Sequence, residues 1–148
     1  MQALRIIALV FWVGGLWAIG VLVAPILFKS LPTNHALAGT LAGYMFTAMA
    51  WVGIVCGLFL LIELTWQIGV RIFQDTGFWL MLGMLVLTLF NHFAIFPLIA
   101  DLRSGTSSAA VGLFGGGFAT WHTISSLIYL LQSILGGFLV YNEFSQKH

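Results

Sequence analysis

The sequence predicts an all-α polytopic integral membrane protein, with four transmembrane helices in an up-down bundle. The first reason is composition. Of the 148 residues, 61% are hydrophobic and 6% are charged, with a mean hydropathy of +1.08, whereas soluble domains carry about 25% charged residues. The second reason is length, because each of four apolar runs exceeds the roughly 20 residues that a helix needs to cross a hydrocarbon core about 30 Å thick. The lipid bilayer is therefore the expected surroundings of most side chains.

The four runs place the predicted helices at about residues 6–28, 36–62, 77–100 and 118–141, all in a single domain of residues 1–148. The first run is too long for the apolar core of a secretory signal and lacks a small-x-small cleavage site near its end, so it is kept as a membrane helix. Residues 29–35 contain Pro32 and Asn34, which favour a turn, and residues 103–117 are rich in Ser and Gly, which predicts a flexible connection. Such short links make neighbouring helices antiparallel.

The charged residues, five Lys or Arg and four Asp or Glu, fall at or beyond the ends of the runs, where burying them costs little. With a formal net charge of +1, the chain has no basic field that would bind nucleic acid. Four crossings put both termini on one side, which holds Arg5, Arg71 and Lys147, while the other side holds Lys29 and Arg103. Because cytoplasmic loops carry the excess of Lys and Arg, this count predicts cytoplasmic termini in an inner or plasma membrane.

Small residues indicate where the helices pack. Helices in lipid associate through close van der Waals contact, which glycine permits. The second run carries two Gly-x-x-x-Gly patterns and the first carries a glycine pair; these positions are Gly39 and Gly43, Gly53 and Gly57, and Gly14 and Gly15. We expect them to pack either within the bundle or against a second copy or a larger membrane complex.

Polar residues inside the third and fourth runs predict a polar seam between those helices. On the fourth helix they recur at spacings of four, three and four, which places them on one helical face. Such a face turns to protein or water rather than to lipid. The seam residues are Asn91 and His92 on the third helix and His122, Ser126, Tyr129 and Ser133 on the fourth, and the predicted mouth of the seam consists of His35, Asp101 and Arg103.

Two intramembrane histidines at comparable depth point to ligand chemistry. His92 and His122 are expected to meet inside the bundle, and Met45 and Met49, one turn apart on the second helix, enter from the same face. Imidazole and thioether donors suit a soft ion such as Cu(I), so these four residues are the predicted metal ligands. Three alternatives stay open: a structural hydrogen-bonded histidine pair, a haem held by both imidazoles, and a proton relay along the fourth helix.

Classical enzyme motifs are missing from the sequence. It contains no Walker loop, no dinucleotide fingerprint, no His-Glu-x-x-His and no Gly-x-Ser-x-Gly, so nothing supports nucleotide-dependent or hydrolytic catalysis. We therefore expect a non-enzymatic protein that handles a small solute or a soft, copper-like metal ion through the polar seam. The alternatives are a structural or assembly subunit of a larger membrane complex and a haem-binding membrane redox protein with two histidine ligands.

A family resemblance rests on patterns spread over most of the chain. They are Gly14-Gly15, Pro25-x-x-Phe28, Ala38-Gly39-x-x-Ala42-Gly43-x-x-Phe46, Asn91, Pro97, Leu102-Arg103 and Phe118-x-x-x-His122-x-x-Ser125. With these, the chain resembles the transmembrane protein 205-like family, a domain of unknown function (4149) of small four-span membrane proteins. The resemblance implies a four-span membrane protein without an established biochemical activity.

A more distant likeness concerns the first helix. Trp12-Val13-Gly14-Gly15-Leu16 looks like the opening helix of copper-resistance membrane domains and of four-helix, haem-associated protoporphyrinogen oxidases. Those families place histidine near the start of that helix, where this chain has Arg5. A metal or haem role is therefore not carried over from them.

Overall fold

The structure is a computed structural model that describes residues 2–105 and 117–145. It contains four helical segments that are long and apolar enough to cross a membrane: α1 (Ala3–Ser30), α2 (His35–Gln74), α3 (Thr76–Ser104) and α4 (Phe118–Ser145). Within the described ranges there is no β-strand. The predicted all-α, four-span fold is therefore confirmed. Most of the predicted flexible connection at 103–117, and Lys147 of the charge count, lie outside the described residues.

Side-chain caps and a glycine set the helix ends. Asn34 Oδ1 accepts the backbone N–H of Leu37 at 3.0 Å at the start of α2, and Asp75 Oδ1 accepts that of Phe78 at 2.9 Å at the start of α3. Such caps satisfy backbone donors that a helix start leaves unpaired. Gly105 follows α3 with a φ of +73°, a left-handed conformation that glycine adopts at helix ends without a steric penalty. The two caps therefore mark the starts of α2 and α3, and Gly105 marks the end of α3.

The observed helices extend past the predicted ends, most of all in α2. This helix continues through Ile68 and then tightens into a 3₁₀ turn, Gly69–Gln74. Glu63 therefore lies on a helical face inside the bundle rather than beyond a helix end, and only 3% of its surface is exposed. The expectation that every charged residue lies at or beyond a helix end is therefore wrong for Glu63. Its buried carboxylate is tolerated because an ion pair with Arg5 compensates the charge.

Three π-helical turns interrupt the regular helices. Two lie in α1, at Val10–Gly14 and Ala18–Val23, and the third lies in α3, at Asn91–Ile95. The later turn in α1 precedes Pro25 and the turn in α3 precedes Pro97. Because proline cannot donate the usual backbone hydrogen bond, the helix before it widens locally. The turn in α3 has a functional consequence, since it orients Asn91 and His92.

The core is centred on Trp12 of α1, which is completely buried. Its indole lies across the Gly53-x-x-x-Gly57 pattern of α2, where an added Cβ would lie 2.7 Å from the indole Nε1 at Gly53 and 2.9 Å from Cη2 at Gly57. These two glycines therefore accommodate a tryptophan side chain rather than a neighbouring backbone. The pattern explains why the largest core side chain fits between two adjacent helices.

The other predicted packing glycines differ in whether another side chain lies against them. A Cβ on Gly15 would lie 2.6 Å from Met49 Sδ, and one on Gly39 would lie 2.9 Å from Arg103 Nη2. A Cβ on Gly14 or Gly43 would meet no atom within 4 Å. Gly15 and Gly39 thus accommodate specific side chains of the bundle, while Gly14 and Gly43 have open space beside them.

Candidate functional site

A small cavity lies at the centre of the bundle, where all four helices meet. Its volume is about 20 Å³, which is room for about one water molecule. Leu16 is its lining residue from α1. The polar atoms and the sulfur in its walls belong to Met49 of α2, Thr88, Asn91 and His92 of α3, and Tyr129 and Gln132 of α4. The cavity therefore has a mostly apolar wall into which a few polar side chains of α3 and α4 are set.

Buried hydrogen bonds join α3 and α4 beside this cavity. Ser125 Oγ donates to Asn91 Oδ1 at 2.8 Å. Gln132 Nε2 donates to Thr88 Oγ1 and to the carbonyl oxygen of Met84, the latter at 3.3 Å. Hydrogen bonds between membrane helices contribute about 0.6 kcal/mol on average and at most about 2 kcal/mol. They therefore fix the rotation of α4 more than they stabilise the bundle.

Tyr129 connects α4 to α1 on the other side of the cavity. Its hydroxyl donates to the carbonyl oxygen of Leu16 at 2.7 Å, and its ring meets Phe46 edge to face with centroids 4.9 Å apart. Gly20 makes room for this ring, since a Cβ there would lie 2.5 Å from Tyr129 Cε1. The hydroxyl is thereby held at the wall of the cavity.

His92 is the cavity residue with an unsatisfied polar atom. It lies in the π-helical turn Asn91–Ile95, a kind of turn that is frequent at functional sites. Its ring meets Trp51 of α2 edge to face at a centroid distance of 5.7 Å. The buried Nδ1 atom has no hydrogen-bond partner, and such an atom costs about 1–3 kcal/mol. Because His92 lines the cavity, a species bound there is a candidate partner for this nitrogen.

The polar face of α4 differs from the predicted one. His122 is exposed and stacks on Phe118 with ring centroids 5.7 Å apart. Ser126 is also exposed and donates back to the carbonyl oxygen of His122, and half-buried Ser133 donates to that of Tyr129. Of the four residues predicted for this helix, Tyr129 is the one that lines the cavity.

The packing of α4 explains this rotation. A Cβ on Gly136 would lie 3.0 Å from Val13 Cγ1 of α1, so this face of α4 approaches its neighbour closely. Ser125, Gln132 and Leu139 are buried on the same face. Sequence reasoning missed Ser125 and Gln132. Their spacing of seven residues on the helical face of Gly136 is the signal that could have found them.

Two of the four predicted metal ligands line the cavity and two do not. His92 and Met49 line the cavity, whereas Met45 is 38% exposed and His122 is exposed near the start of α4. The expected pair of facing imidazoles is thus corrected, because His92 packs against α2 while His122 faces outward. Across residues 2–105 and 117–145, no three His, Cys, Asp or Glu side chains converge in a way that could hold a metal ion.

The predicted mouth residues lie at one end of the bundle, and Arg103 makes the contacts between helices there. Its Nη1 donates to Thr40 Oγ1 at 3.3 Å, and its guanidinium carbon lies 5.5 Å from the centroid of the Phe118 ring. His35 is exposed, with its ring 6.4 Å from that of Phe28, and Asp101 is half-buried. Arg103 therefore links α3 to the second turn of α2 and the first turn of α4.

At the opposite end, a partly buried charge cluster joins three helices. Arg5 Nη1 lies 3.1 Å from Glu63 Oε2, and its Nε and Nη2 donate to the two carboxylate oxygens of Glu143, the Nε contact at 3.2 Å. Gln67 Nε2 donates to the other oxygen of Glu63. Sequence reasoning missed this cluster because its members are 58 and 138 residues apart and share no local pattern.

The comparison with protein families identifies the chain. The family model described as Domain of unknown function (DUF4149) matches residues 7–108. The chain belongs to the DUF4149 family. In this DUF4149 protein the matched region takes in α1 from residue 7 onward and all of α2 and α3, whereas Tyr129 and Gln132 of α4 lie beyond it. No curated protein and no solved structure matches the chain.

Proposed function

We propose that this DUF4149 protein is a non-enzymatic membrane protein that holds one small species in its central cavity, and that the species is a soft metal ion such as Cu(I). The supporting observation is the buried, unpartnered Nδ1 of His92 in a cavity that Met49 also lines. Imidazole and thioether are donors that Cu(I) accepts. Oxygen-preferring ions such as Mg²⁺ would find no carboxylate among the residues that line this cavity.

The size of the cavity restricts its occupant. With a volume of about 20 Å³, it accepts a bare ion or a water molecule, whereas small-molecule sites measure roughly 300–1,000 Å³. The haem predicted from the sequence would also need His122 as its second axial ligand, and that residue is exposed. Haem is therefore not proposed.

A Cu(I) titration of the purified protein, read by competition with a chromogenic chelator, tests the proposal. We expect the wild-type protein to bind one ion, and His92→Ala and Met49→Leu to weaken binding at least about tenfold, since each removes a direct ligand. The matched controls are His122→Ala and Met45→Leu, which change the same residue types at exposed positions. Wild-type protein that binds no Cu(I), or equal losses in all four variants, would contradict the proposal.

A role as a subunit in a larger assembly is the second candidate, and α1 carries the observation that favours it. Gly14 and Ala18 are exposed one turn apart, and a Cβ on Gly14 would meet no atom within 4 Å. Small residues at this spacing allow a helix of another chain to approach closely. Cross-linking in membranes tests this role, because Gly14→Leu should abolish a cross-linked product that the exposed control Val21→Leu retains.

We also propose that both termini are cytoplasmic in an inner or plasma membrane. The support is the count of Lys and Arg on the two membrane faces. A fluorescent reporter that matures only in the cytoplasm, fused to the C-terminus, should be bright. A dark fusion of normal abundance would reverse the assignment.

A further inference from the structure

An apolar groove runs between α1 and α2 on the outer surface of the bundle. Its volume is about 540 Å³. Ala8 is the buried lining residue, and Val52 and Cys56 are half-buried. Phe11 and Trp51 at its rim are 64% and 52% exposed. Because both helices span the membrane, this groove opens toward lipid.

The length of the groove is slightly less than the thickness of one leaflet of the hydrocarbon core. Its lining runs along α1 through residues 4–11 and along antiparallel α2 through residues 51–59. At 1.5 Å per residue this length is about 10–12 Å, compared with about 15 Å for half of the hydrocarbon core. The groove extends inward from the membrane face that carries Arg5 and follows the helix axes. Its long direction is therefore that of a lipid tail.

We propose that this groove binds a single acyl chain of a membrane phospholipid. All its lining side chains are apolar apart from the Cys56 thiol and the indole N–H of Trp51, so the groove offers a polar ligand few hydrogen-bonding partners. A helix from another chain is about 10 Å wide and packs through small residues, whereas Phe11, Trp51 and Phe59 are bulky. A thin, flexible acyl chain fits between such side chains.

The charges at the outer end of the groove indicate whether the site also attracts the headgroup of the bound lipid. Arg5, next to the lining residue Leu4, already pairs with Glu63 and Glu143. Two carboxylates against one guanidinium provide no attraction for a lipid phosphate. The groove therefore selects the chain of a phospholipid and does not favour an anionic headgroup.

Trp51 gives the bound chain a connection to the central cavity. Its exposed ring forms part of the groove wall, and the same ring contacts His92 at a centroid distance of 5.7 Å. An acyl chain in the groove therefore packs on the residue that supports His92. This inference does not depend on metal binding, and its test uses no metal.

Native mass spectrometry of the protein extracted in a mild detergent tests the site. We expect the wild-type protein to retain one phospholipid, and Ala8→Phe, which fills the groove from its buried side, to lower that occupancy about tenfold. The matched control is Val21→Phe, which enlarges an exposed residue of α1 outside the groove. Retention by Ala8→Phe equal to wild type would overturn the proposal, as would an isoprenoid adduct or a dimer in place of the phospholipid.

A second measurement needs only the wild-type chain, and so decides the matter even if Ala8→Phe does not fold. The protein is reconstituted in phosphatidylcholine vesicles that contain a trace of phosphatidylcholine with a diazirine on its acyl chain, and is then irradiated. We expect labelling to concentrate on residues 4–11 and 51–59, several-fold above the exposed α4 surface of Leu127, Leu130 and Ile134. Phosphatidylglycerol vesicles with a diazirine phosphatidylglycerol should give the same pattern. Equal labelling of groove and control surface would overturn the site, and labelling confined to phosphatidylglycerol would overturn the inferred selectivity.

Discussion

Replacing Arg5 by alanine is expected to lower the free energy of unfolding by about 3–5 kcal/mol, the typical cost of removing one partner of a buried ion pair. Arg5 and Glu63 have side chains that are only 13% and 2% exposed. Without the guanidinium, the carboxylates of Glu63 and Glu143 would lose the cation that both contact. Denaturant unfolding in detergent, followed by circular dichroism, measures the effect.

Two further variants make this prediction specific. Arg71→Ala removes an exposed arginine from the same end of the bundle and should change stability by no more than about 0.5 kcal/mol. Adding Glu63→Gln and Glu143→Gln to Arg5→Ala should recover much of the loss, because the uncompensated charges are then gone. Arg5→Ala protein as stable as Arg71→Ala protein would show that the cluster contributes nothing.

Replacing Trp12 by alanine should have the second-largest effect, a loss of about 2–4 kcal/mol. Large-to-small substitutions in cores cost roughly 3–5 kcal/mol for tryptophan. The cost is at the lower end here because lipid tails are as apolar as the core, so the loss comes mainly from packing contacts. Trp12 is fully buried against Gly53 and Gly57, so its removal leaves a void between α1 and α2. The same unfolding assay measures it.

The control for this prediction is Trp66→Ala, which truncates a tryptophan that is 78% exposed and should be nearly neutral. Gly57→Val disturbs the contact between Trp12 and α2 from the other helix. It should also destabilise, because a Cβ there would lie 2.9 Å from Trp12 Cη2 and the indole has no free space into which to move. If Trp12→Ala and Trp66→Ala unfold alike, the indole is not the centre of the core.

The fold could be read from the sequence because membrane spans are a local property. Each run of about 20 apolar residues specifies its own helix, since a helix satisfies the backbone hydrogen bonds within the run itself. Run ends are less certain from composition alone, because a helix can continue through polar residues. Glu63 illustrates this: its charge suggests the end of a span, yet the helix goes on to Ile68.

The site was harder to predict because it depends on how each helix is rotated. On α3, Asn91 faces Ser125 of α4, while His92, the next residue, faces Trp51 of α2. On α4, the close approach at Gly136 turns Gln132 inward and leaves His122 outside. These rotations follow from contacts between distant parts of the chain, so the sequence did not reveal that His122 faces outward and that Gln132 lines the cavity. The depth of His92 and Met49 in their helices is a local property, and their common position at the cavity could be anticipated.

The cluster at Arg5 also has a consequence for biosynthesis. Arg5 enters the membrane with the first helix, whereas Glu143 is 138 residues further along the chain and arrives only after most of α4 has been synthesised. Until then, Arg5 lacks one of its two carboxylate partners. A product truncated before α4 would retain the Arg5–Glu63 contact but not the Arg5–Glu143 contact, so the pairing of this charge depends on insertion of α4.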